Sequence, residues 1–138
     1  MQISELKRTV DERLVDFAWS EWSQLGVLGS SSRESPWAAD PEALLLLALD
    51  LRRAEPRLLD ETLDWLTVNG ALISQQRLRN LCGDSDERAV ADAALAWVGR
   101  HQKGLRSAAR STTADLGLID APDEPTGKSR PVRLERPI

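Results

Sequence analysis

One cysteine, Cys82, and one histidine, His101, stand in 138 residues. A lone thiol forms no disulfide within the chain, which suits a reducing compartment, and one thiol with one imidazole builds no zinc site. Long apolar runs are missing as well. The longest, ALLLLAL from Ala43 to Leu49, is far short of the roughly 20 residues that a membrane span needs. The opening MQISELKRTVDERLVDF spreads charge at helical spacing and has no continuous apolar core, unlike a secretory leader, so the expected location is cytoplasmic. There is no excess of positive charge. The formal net is -4, whereas a protein that binds nucleic acid chiefly by neutralising phosphates is basic. No glycine-rich loop joins a strand to a helix, because Gly26, Gly29, Gly70 and Gly83 follow predicted helices. Internal repeats are absent too.

What is present is apolar content and helical periodicity. With 41% hydrophobic and 29% charged residues and five tryptophans, the chain has the apolar groups of one domain of ordinary size. From about Ile3 to Leu25 the apolar positions Leu6, Val10, Leu14, Phe17, Ala18, Trp22 and Leu25 recur in steps of three and four, predicting one helix with a core-facing stripe that stops at Gly26. GVLGSSSRESPW then predicts a loop whose end, Trp37, anchors on the core. Asp40, Pro41 and Glu42 form a strong helix start. Leucine nearly all round the helix that follows predicts a place at the centre of a bundle.

After the break at AEP, Leu58, Leu59, Leu63, Trp65, Leu66 and Val68 predict another helix, with Asn69 and Gly70 as a left-handed cap. Ser74 is expected to cap a short helix, SQQRLRNLC, with Leu78, Leu81 and Cys82 on its apolar face. A last helix, DERAVADAALAWVGRHQ, is expected to have Asp86 as its cap and to bury Val90, Ala93, Ala94, Trp97 and Val98, its alanines allowing close approach. The expected architecture is all-α: a compact bundle of five or six helices over residues 1–104, with a helix-turn-helix-like unit. Residues 105–138 are expected to be a partly ordered segment and tail. Leu105, Leu116, Leu118 and Ile119 wrap the bundle in that reading, and four prolines keep the end irregular.

Catalysis by a nucleophile needs a positioned base, and His101 falls at a polar helix end where an imidazole suits the helix dipole. Asp60, Glu61 and Asp64 share one acidic helix face, a common solvated arrangement. Cys82 reads as a small buried hydrophobe. No enzyme activity, cofactor or metal is therefore expected.

The stretch NGALISQQRLRNLCG is the exception to an acidic chain: residues 71–83 hold two basic side chains and no acidic one, while residues 1–70 hold 7 basic against 13 acidic. A helix, a short turn with glycine and a second helix led by Gln, Arg and Asn fit the helix-turn-helix pattern. Gln75, Gln76, Arg77, Arg79 and Asn80 are the candidate readers of base edges, with Arg52, Arg53 and Arg57 as candidate phosphate contacts. Trp19 and Trp37, together with Val132 and Leu134 of the tail, are the candidates for a protein-partner surface. A homodimer is one way to concentrate the basic surface.

The string DPEALLLLALDLRRAEPRLLDETLDWLTVNGALISQQRLRNL, preceded by FAWSEWSQLGV and Trp37, resembles the N-terminal helical region of bacterial winged-helix transcriptional regulators and antitoxin-like proteins. The resemblance covers roughly residues 14–82 and implies a regulatory, DNA-binding or antitoxin function. In that family a separate winged-helix domain follows, and none is expected within this sequence. The alternative expectation is an adaptor or inhibitor that binds a protein and no DNA.

Overall fold

In a computed structural model, residues 2–27, 40–102 and 116–132 are described. They form five α-helices and, among the described residues, no strand: α1 (Ile3–Gln24), α2 (Pro41–Asp50), α3 (Pro56–Asn69), α4 (Gln75–Leu81) and α5 (Ser85–His101). Single 3-10 turns lie at Gly70–Leu72 and Leu116–Leu118. No described helix is long and apolar enough to cross a membrane. The expected all-helical bundle is what the chain forms.

Helix α2 starts as its first residues dictate. Asp40 accepts from the Ala43 N–H at 3.2 Å, and Pro41 occupies the first turn. Leucine on every side then places α2 against α1, α3, α4 and α5, with Leu44, Leu45, Ala48, Leu49 and Leu51 buried. The two indoles beside it are fixed by their polar edges. Trp22 Nε1 donates to the Leu44 carbonyl at 3.3 Å and Trp65 Nε1 to the Leu25 carbonyl at 2.7 Å, and the rings meet edge to face with centroids 5.3 Å apart. On the other side of α3, α5 approaches through Ala91, Ala93 and Ala94, all buried.

Four local expectations are corrected. Asn69 and Gly70 do not form a left-handed cap: Gly70 has φ -59° and ψ -24°, and the chain runs on into a 3-10 turn. The Asn69 side chain is committed elsewhere, to the C-terminal segment. Helix α5 is capped by Asp84, which accepts from the Glu87 N–H at 2.8 Å, and not by Asp86, which lies in the first turn. In α4 Leu78 is buried, while Leu81 is 40% exposed because it borders an open groove between α2 and α5.

The fourth correction concerns α1. Ala18, Trp22 and Leu25 are buried as expected, but Leu6, Val10 and Phe17 are 51%, 46% and 43% exposed. At about 1.5 Å per residue, the 22 residues of α1 run about 33 Å. The 10 residues of α2 cover only about 15 Å of it. The first turns of α1 overhang the bundle.

At Gly26 the backbone has φ +94°, the left-handed region, and a Cβ there would stand 2.9 Å from Val132 Cγ1. Glycine is needed for the turn and for the close approach of the C-terminal segment. Inside α3, Thr62 is fully buried and its Oγ1 has no hydrogen-bond partner among the described residues. Thr62→Val keeps the shape and removes that oxygen, so we expect it to raise stability by about 1 kcal/mol. Thermal unfolding is the measurement, and an unchanged or lower Tm would contradict the assignment.

Candidate interaction surfaces

Helix α4 presents the polar residues singled out in the sequence. Ser74 accepts from the Arg77 N–H at 3.2 Å, and its own N–H donates to Glu42 Oε1 at 2.9 Å, which fixes the start of α4 on α2. Gln75, Gln76, Arg77, Arg79 and Asn80 are all exposed. Two of them are bound to each other, Gln76 Nε2 donating to Asn80 Oδ1 at 3.3 Å. Arg77 forms an ion pair with Asp40, whose hydrogen bond and charge raise the guanidinium pKa further above its ordinary value. Although α3 and α4 are consecutive, α4 packs chiefly on α2. The helix, turn and helix are present in order, with a different packing partner for the second.

The other three arginines have three different settings. Arg52 donates to the Leu49 carbonyl at 2.6 Å, at the end of α2 opposite to Asp40 and Arg77. There it lines an apolar groove of about 480 Å³ floored by Leu46, Leu47, Leu81 and Val90 and rimmed by Asp50, Asp86 and Glu87. Arg53 is exposed. Arg57 lies over the Trp19 ring, 5.4 Å from its centroid.

Trp19 itself is only 5% exposed and belongs to the core cluster, so the expectation of a surface aromatic is corrected. Its side of α1 is the one that α3 covers, with Arg57 closing the contact. Trp37 and Leu134 lie outside the described residues. Val132 is not a free tail residue. It packs against the core beside Gly26, and its N–H donates to Asn69 Oδ1 at 2.8 Å.

That contact belongs to a clamp the sequence reading missed. Residues 127–132 lie along α3 and are held by side chains three and five residues apart. Asp64 accepts from the Gly127 N–H at 2.5 Å and the Ser129 N–H at 2.9 Å. Asn69 donates to the Arg130 carbonyl at 3.0 Å while accepting from Val132. Lys128 Nζ stands 3.6 Å from Glu61. Burial pushes the Asp64 carboxyl up, but hydrogen bonds from the Ser129 side chain, the Gly127 and Ser129 N–H groups and Thr126 outweigh it and leave the pKa below the ordinary carboxylate value. Both carboxylate oxygens thus serve the backbone, and Glu61 and Asp64 hold the C-terminal segment instead of facing solvent. Asp60 is shifted the other way, raised by burial and by Glu61 and Asp120. Trp97 fastens the preceding stretch, donating to the Pro122 carbonyl at 2.8 Å. The signal available in the sequence was polar: Asp64 and Asn69 fall within the turns of α3 that carry Leu63, Trp65 and Leu66, and buried polar groups need partners.

Of the remaining candidates, His101 is half-buried, its ring 4.4 Å from that of Trp97 and its Nδ1 3.9 Å from Glu124. Cys82 is half-buried and directs Sγ to the Leu78 carbonyl at 3.3 Å. Burial and the charge of Glu87 raise its pKa, which disfavours the reactive thiolate. No group of three or more metal-ligating side chains occurs among the described residues.

An unexpected apolar surface lies on α1. Ile3, Leu6, Val10 and Phe17 are 74%, 51%, 46% and 43% exposed, with Leu14 half-buried between the last two. With each residue turning about 100°, these five lie on one stripe, about a quarter turn from the Ala18, Trp22 and Leu25 face that enters the core. Four large apolar side chains exposed in a row on one helix face are unlike the scattered apolar residues of ordinary surfaces. Comparison with protein-family models, with curated proteins and with solved structures found no match to this chain.

Proposed function

We propose that this protein is a non-enzymatic interaction module that binds a protein partner through the overhanging half of α1. The observation that carries the reading is the exposed stripe of Ile3, Leu6, Val10 and Phe17. An amphipathic helix that offers apolar anchors at three- and four-residue steps is a common protein-recognition surface, and buried apolar anchors supply most of the energy of such interfaces. The net charge of -4 and the engagement of Arg77 by Asp40 favour this reading over phosphate-led DNA binding.

A photo-crosslinking residue placed at Val10 tests it in cells that carry the gene. A discrete protein adduct from Val10, absent when the same residue replaces the exposed Arg88 of α5, supports the reading. No adduct from Val10 overturns it.

A DNA-binding regulator, the function implied by the winged-helix resemblance, is the second reading. It is favoured by one observation, the exposed row of Gln75, Gln76, Arg79 and Asn80 on α4, whose amides and guanidinium suit base edges. In an electrophoretic shift assay on the gene's own upstream DNA, a shift abolished by Arg77→Ala with Arg79→Ala supports this reading. No shift, or one the double variant leaves unchanged, sinks it.

A further inference from the structure

We infer that the partner of the α1 stripe is a second copy of this chain, the two α1 helices pairing antiparallel about a two-fold axis at Val10. This rests on the reading of α1 as the binding surface and names its occupant.

The spacing of the stripe is the first argument. Ile3, Leu6, Val10, Leu14 and Phe17 follow one another in steps of three, four, four and three, a pattern that is the same from either end. An antiparallel two-fold pair therefore sets Val10 against Val10 of the second copy, Leu6 against its Leu14, and Ile3 against its Phe17. Every apolar residue meets an apolar residue, and each bulky Phe17 meets the smaller Ile3. A parallel pair stacks Phe17 on Phe17 and Ile3 on Ile3, and the two consecutive steps of four break the alternating three and four of a parallel coiled coil.

Charge is the second argument. Lys7 and Asp11 flank the stripe on the same side, one turn apart. A two-fold axis at Val10 brings Lys7 of each copy beside Asp11 of the other, giving two opposite-charge contacts across the pair. On the other flank, Arg13 comes beside Thr9 of the second copy. All four residues other than the half-buried Thr9 are not held by the bundle: Lys7, Asp11 and Arg13 are exposed in the single chain.

The size of the surface sets the strength. The paired part, residues 3–17, is about 22 Å long, which places the interface at the small end of specific ones. A dissociation constant on the order of 10 μM is expected.

Sedimentation equilibrium of the full chain across the micromolar range tests this. The wild-type chain is expected to pass from monomer to dimer. Val10→Glu, at a position exposed in the single chain, is expected to keep the circular dichroism and Tm and to raise the dissociation constant at least about a hundredfold, because the pair would bury two carboxylates. In a Cys82→Ser background, Val10→Cys is expected to form a disulfide with itself. Ile3→Cys is expected to join Phe17→Cys and not itself. A wild-type chain that stays monomeric, a dimer that Val10→Glu leaves intact, or Ile3→Cys joining itself overturns the pairing. A monomeric chain whose Val10 crosslinks in cells to a protein of a different mass defeats the pairing alone. The absence of any Val10 adduct defeats the interaction reading itself.

Discussion

Asp64→Ala is expected to release the 127–132 segment from α3 and to lower the free energy of unfolding by about 3 kcal/mol. The side chain is 1% exposed and takes two backbone N–H groups, from Gly127 and Ser129. Hydrogen bonds to a charged acceptor are worth more than neutral ones, and removing the carboxylate breaks both at once. Urea unfolding gives the energy. Amide exchange at Gly127 and Ser129 locates it, and unchanged protection there would show that the clamp is not what holds the segment.

The same carboxyl makes the clamp sensitive to acid. Its pKa in the folded chain lies below the ordinary 3.8. Such a group contributes stability that is fully present above its unfolded-state pKa and is lost as pH falls through the folded value. The wild-type advantage over Asp64→Ala is therefore expected to be constant at neutral pH and to shrink as pH drops below 3.8. Urea midpoints of the two proteins across that range check it, and an advantage that persists at the acid end would contradict the assignment.

Trp65→Ala is expected to cost about 4 kcal/mol, a large part of the roughly 5 to 15 kcal/mol that holds a domain of this kind together. Trp65 is fully buried, meets Trp22 edge to face, and ties α3 to the end of α1 through its bond to the Leu25 carbonyl. Truncation opens a cavity where α1, α2 and α3 converge and removes the donor of a buried carbonyl. Trp65→Phe retains most of the ring and loses the N–H, so its expected cost is about 1 to 2 kcal/mol. Equal unfolding midpoints for the two variants would show that the indole volume contributes nothing beyond its hydrogen bond.

The elements were legible because their signals are local. Asp40 and Ser74 cap the helices that the sequence predicts, Pro41 stands in the first turn of α2, and Gly26 ends the approach of α1 with a positive φ. The central place of α2 followed from leucine on all its sides. Where two local signals competed, the choice between them was not readable. Asp84 and Asp86 are both residue types that cap, and in the structure it is Asp84 that accepts from the Glu87 N–H.

Two features were beyond the reach of periodicity. The α1 stripe has the spacing of a core face, yet its first half is exposed, since burial depends on how far the neighbouring helices extend and not on the stripe itself. Asp64 and Asn69 look like the polar back and the cap of a helix, yet they hold residues 61 to 65 positions further along the chain. The sequence by itself determined which stretches become helix, where α2 and α4 begin and which helix lies at the centre, because capping, period and apolar content act within a few residues. Only the tertiary structure decided that half of α1 stays exposed and that α3 grips the C-terminal segment. Both are set by relative helix lengths and by distant parts of the chain meeting.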